Sequence, residues 1–128
     1  WQYWTRKVTD PKWRGPAGAR LSLELTVAEN NTLVLVVVEN EWRRYRGRKK
    51  TYVAAIDLKG SDGPQAVVLS CRDFVDPADG SHLGSWDQLD QLGLRAYYET
   101  STAGKAKMLG GKSWRGPQPK LHELRWVK

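Results

Sequence analysis

Arg20-Leu-Ser-Leu-Glu-Leu-Thr-Val27, followed by Asn30-Asn31 and then by Thr32-Leu-Val-Leu-Val-Val-Val38, decides the fold class of this 128-residue chain. In the first run polar and apolar residues alternate, so Leu21, Leu23, Leu25 and Val27 share one face of an extended segment. Paired asparagines suit a tight turn. The second run is apolar and β-branched on both faces, which predicts a central strand covered on each side.

Working outward, Thr51-Tyr-Val-Ala-Ala-Ile-Asp-Leu58 reads as a third strand, and Lys59-Gly-Ser-Asp-Gly-Pro64 is turn chemistry. Gln65–Ser70, Leu94–Thr100 and Lys120–Val127 complete the strand set. Asp73 to Gly84 is rich in Asp, Gly and Pro and reads as loop. The one good helix pattern is 85–92, Ser85-Trp-Asp-Gln-Leu-Asp-Gln-Leu92, with Ser85 as N-cap, acidic residues in the first turn and Gly93 as stop. Five to eight short strands with one small helix predict an all-β antiparallel sandwich rather than alternating β-α-β units.

Length and composition suit a single domain over 1–128, long enough to bury a core. The net charge of +7 and a pI near 9.7 favour anionic partners. That surplus is uneven. From Asp57 to Asp90 there are seven acidic residues against only Lys59 and Arg72. The densest positive source is Trp42-Arg-Arg-Tyr-Arg-Gly-Arg-Lys-Lys50, six cations in nine residues with a tryptophan and a tyrosine.

Arginine offers a planar fork of donors to sulfate or carboxylate, and aromatic faces stack on sugar rings. Arg43, Arg44, Arg46 and Arg48 are therefore candidate readers of anionic substituents, with Trp42 and Tyr45 as stacking partners. Gly47 allows a sharp turn, and Lys49 and Lys50 add less directional charge. Set against this, charged loops are commonly just solvated, and Glu39 and Glu41 can absorb two of the cations.

Trp-Arg-Gly-Pro occurs twice, at Trp13–Pro16 and Trp114–Pro117, each time ahead of a strand. Either these are two similar turns, or Trp13, Arg14, Trp114 and Arg115 stand side by side and extend the basic site. Of the seven tryptophans, three or four are expected to be structural.

Other chemistries lack their residues. The single cysteine, Cys71, forms no internal disulfide and reads as an inert buried thiol. His82 and His122 are far apart in sequence, which argues against zinc. No serine sits in a nucleophile elbow and no glycine run forms a phosphate loop. Asp87 and Asp90 are better explained by capping and solvation than by acid–base work, so no enzymatic activity is expected. No apolar run reaches the roughly 18 residues of a membrane span. The chain opens on Trp1 and reads as a piece of a longer protein.

The order Val67-Val-Leu-Ser-Cys-Arg-Asp-Phe74, Asp79-Gly, Ser85-Trp-Asp-Gln-Leu-Asp-Gln-Leu-Gly-Leu94 and a following strand resembles the galactose-binding-like jelly-roll domains that act as carbohydrate-binding modules. The likeness runs from Trp13 to Val127. It implies a sandwich that holds glycans, a catalytic domain covalently linked in the full-length protein, and an extracellular or periplasmic location. Such domains often carry structural calcium. Asp73, Asp76 and Asp79 do not match a calcium loop of defined spacing, so whether a metal is bound stays open and no cofactor is required.

Fold resemblance does not fix function. The basic segment adds the expectation of an acidic partner, a sulfated or uronic-acid polysaccharide. The alternatives are a nucleic-acid-binding domain, disfavoured for want of any known nucleic-acid motif, and a structural accessory sandwich.

Overall fold

The computed structural model of the chain describes residues 2–5, 18–40, 49–86, 89–102, 105–110 and 114–127. Its strands are β1 (Gln2–Thr5), β2 (Arg20–Thr26), β3 (Asn31–Asn40), β4 (Lys49–Leu58), β5 (Gln65–Leu69), β6 (Leu89–Arg95), β7 (Tyr97–Thr102), β8 (Lys105–Gly110) and β9 (Lys120–Val127). A 3₁₀ turn, Cys71–Asp73, follows β5. β1-β6-β3-β4 form one sheet, β5-β2-β9 a second, and β7-β8 a hairpin, with every strand pairing antiparallel. This is the expected all-β sandwich.

The alternation that predicted β2 does its work between the sheets. Leu21, Leu23, Leu25 and Val27 are buried against Leu33, Leu35 and Val37 of β3, Tyr52 and Ala54 of β4, and Leu92 and Leu94 of β6. The other face of β3 is also buried, as Val34 and Val36 cluster with Val53. The β7–β8 hairpin lies against β3 and β4. An apolar run on both faces thus becomes the inner strand of a sheet covered twice.

The helix expected at 85–92 is not formed. Leu89–Arg95 is a strand, hydrogen-bonded to β1 on one side and β3 on the other. A two-turn helix has little intrinsic stability, whereas the strand buries Leu89, Leu92 and Leu94 in the main core. Gly93, read as the helix stop, instead sits mid-strand opposite Trp4. A Cβ there would come within 2.6 Å of two indole carbons, so only glycine lets the ring lie against the sheet.

Ahead of β6, Trp86 is the anchor. Its Nε1–H donates to the Ala19 carbonyl at 2.8 Å. Its ring meets Phe74 edge-on at 5.7 Å and Trp126 at 5.0 Å. Such aromatic pairs stabilise beyond their area burial, and here they close one end of the sandwich.

Candidate functional site

β3 ends at Asn40 and β4 begins at Lys49, and these two residues are direct cross-strand partners. The eight residues between them carry the basic and aromatic cluster. Trp42, Arg43, Arg44, Tyr45, Arg46 and Arg48 themselves lie outside the described residues, as do Trp13 and Arg14. What the structure defines is the root on which the cluster stands.

Lys50 dominates that root. Its Nζ donates to Ser81 Oγ at 2.8 Å and to Asp79 Oδ2 at 3.1 Å, and Asp76 Oδ2 stands at 3.7 Å. The ammonium also lies over the Tyr52 ring, 5.3 Å from its centroid. Across the ladder from Lys50 is Glu39, only 3% exposed. The sequence gives Lys50 the part of adding less directional charge to a ligand site. The structure commits it instead to a loop whose sequence is locally acidic.

That loop is built by its own turn chemistry. The Asp76 carboxylate accepts from the Ala78 amide, and the Asp79 carboxylate accepts from the Ser81 amide and hydroxyl. Asp76 N–H to Ser81 O and Gly80 N–H to Asp76 O close a small ribbon. Val75 bridges Val53 of β4 on one side and His82 on the other, so the ribbon continues the sheet past β4. Phe74 and Leu83 pin it into the core. The Ser81 hydroxyl and amide, followed by Lys50, hold the Asp79 carboxyl at about 2, below its ordinary 3.8.

Trp114 and Arg115 are at the other end. The Arg115 amide donates to Asn31 Oδ1 at 2.8 Å, and Asn31 Nδ2 donates back to the Arg115 carbonyl at 2.9 Å. Asn31 begins β3 and Asn40 ends it, and ten residues of strand span about 30 Å. Trp114 packs against the core and donates its indole N–H to the Pro117 carbonyl at 2.9 Å. The Arg115 side chain is exposed, but it is anchored a strand's length from the basic root.

The same geometry bears on the Trp-Arg-Gly-Pro repeat. One copy precedes β2 and the other precedes β9, and those strands are antiparallel neighbours, with Arg20 opposite Val127 and Thr26 opposite Lys120. Antiparallel neighbours start at opposite ends, so the points where the two copies join their strands are not adjacent. The side-by-side arrangement finds no support in these anchors.

Asp73, His82 and His122 have structural partners, while the side chains of Asp87 and Asp90 lie outside those described. Asp73 caps the 3₁₀ turn by accepting from the Ser70 amide and hydroxyl. His82 Nδ1 is 2.7 Å from the Arg72 carbonyl and His122 Nε2 is 2.8 Å from Thr26 Oγ1. Cys71 is half-buried against the main core. Among the described residues no three His, Cys, Asp or Glu side chains gather where a metal ion could be held.

The tie from Lys50 to the 76–81 ribbon has no signature in the local sequence. Asp76-Pro-Ala-Asp-Gly-Ser81 does announce turns, but nothing local connects it to a lysine 31 positions away from Ser81.

Comparison with protein-family models, with curated proteins and with solved structures finds no match to this chain.

Proposed function

We propose that this domain is a non-catalytic carbohydrate-binding module that grips an anionic polysaccharide, sulfated or uronic-acid-bearing, and keeps an attached enzyme near it. The observation that carries the reading is the placement of the basic segment. Four arginines, a tryptophan and a tyrosine are strung between two strands of ten residues each, whose last ladder pair is Asn40–Lys49. A rigid scaffold presenting a short polar segment is the usual arrangement for recognition. Guanidinium forks supply bidentate contacts to sulfate or carboxylate, and the aromatic rings supply stacking.

The proposed ligand residues are Trp42, Arg43, Arg44, Tyr45, Arg46 and Arg48. Trp13 and Arg14 precede β2, which starts beside the same end of the sandwich. Trp114 and Arg115 belong to the opposite end and are not needed by this site. A sugar-binding role goes with a location outside the cytoplasm.

Affinity gel electrophoresis against fucoidan, carrageenan, porphyran, alginate and neutral glucans tests the proposal. Retardation by one or more acidic polymers, weakening with added salt as screening demands, is the expected result. Trp42→Ala and Arg44→Ala should each reduce it. Absence of retardation by every acidic polymer defeats the reading, and tighter binding to single-stranded oligonucleotides than to any glycan would replace it with nucleic-acid recognition.

A further inference from the structure

Of the six cations in Trp42–Lys50, Lys50 is the one whose side chain is among those described, and it is already occupied. Two of its three ammonium donors go to Ser81 and Asp79, with Asp76 as a further counter-charge and Tyr52 beneath. The acceptors are not loosely placed. Their ribbon is fastened to β4 by reciprocal backbone hydrogen bonds between Val53 and Val75, at 2.8 and 2.9 Å, and to the core by Phe74 and Leu83.

We infer that Lys50 is a positioning residue that pins the root of the basic segment, and that Asp79 and Asp76, although negative, support the binding of a polyanion. The inference rests on the polysaccharide-binding reading above. Its physical content is a reversal of sign. By net charge alone, removing an acid beside a basic site strengthens its hold on an anion. If Asp79 instead holds the root of the site in place, removing its charge weakens the hold, because a site left free to reorient must be ordered on binding.

Asp79→Asn is compared with Asp62→Asn, which changes net charge equally in the exposed turn between β4 and β5 at the opposite end. Asp79→Asn should raise the Kd for the retained acidic polysaccharide about three- to fivefold, the range of one partly exposed ion pair, while Asp62→Asn leaves it unchanged or lowers it. Unchanged or tighter binding by Asp79→Asn overturns the inference. Lys50→Met should weaken binding while leaving the slope of log Kd against log salt concentration as in the parent. A flatter slope would put its ammonium on the ligand and also overturn the inference.

If the parent chain binds no polyanion, the functional proposal fails by itself. The pin is then judged by arginine-specific proteolysis between Arg43 and Arg48. Cleavage about threefold faster in Asp79→Asn than in Asp62→Asn sustains it, and equal rates refute it.

Discussion

The two ends of the sandwich are held by different chemistry. At one, neutral hydrogen bonds draw three turns together: Asn30 Oδ1 accepts from the Gly60 amide, Asn31 grips the Arg115 backbone, and the Ser61 amide donates to the Val27 carbonyl. At the other, rings do the closing through Phe74, Trp86 and Trp126, and a charge contact from Lys50 to Asp79 joins ribbon to sheet. Both ends carry tryptophan and arginine in the sequence. Composition alone therefore does not tell the two ends apart, whereas the chemistry of the described contacts does.

This contrast can be broken most strongly through the aromatic closure. Phe74 is fully buried, so Phe74→Ala should cost about 3–5 kcal/mol, read as a lower urea midpoint. The loss should be accompanied by faster hydrogen exchange of the Val75 and Leu83 amides. Next in size is Gly60→Ala. Its Cβ would stand 2.5 Å from the Ala28 carbonyl oxygen and 2.6 Å from Glu29 Cα. Both neighbours are backbone, so the turn must shift at a cost of about 1–3 kcal/mol, measured by thermal unfolding. Polysaccharide retention by the folded fraction should be unaffected.

Asn31→Ala removes the side-chain bonds to Arg115 and Glu29 and should cost about 1–2 kcal/mol. It tests whether the neutral end is purely structural, because a matching loss of polysaccharide affinity would join the two ends functionally.

The smallest expected effect is the titration of Asp79. Its folded-state value of about 2 lies below the ordinary 3.8. Its contribution to stability is therefore complete above about pH 4 and is lost as pH falls through 2. Carbon-detected NMR of the carboxyl should place the midpoint near 2. Ser81→Ala, which removes the hydroxyl that donates to the Asp79 carboxylate, should move it up further than Lys50→Met does.

Much of this architecture can be read from residue order. The alternation of Leu21, Leu23 and Leu25 and the two-faced run from Leu33 to Val38 locate the inner strands and their cover. β6 misleads because Ser85, Asp87 and Gly93 imitate helix punctuation, while the period-two pair Leu92 and Leu94 is too short to compete. Trp4 has meaning only once Gly93 is across from it. The cation cluster is plain in sequence, yet the partner of Lys50 depends on a bridge between Val53 and Val75 that no local pattern announces. The two Trp-Arg-Gly-Pro copies are equally plain, and only antiparallel pairing of β2 with β9 tells their anchors apart.

The double burial of β3 has a further consequence. A strand that is greasy on both sides can slide one place along its neighbour without exposing anything oily, so hydrophobicity alone gives it no unique alignment. Alignment has to come from polar markers at its tips: the Thr32 hydroxyl reaching Asp57 at 2.9 Å, Asn31 clasping Arg115, and Glu39 facing Lys50. These few contacts act as notches on a smooth rod. Filing them away should yield a protein that still collapses but settles in more than one alignment.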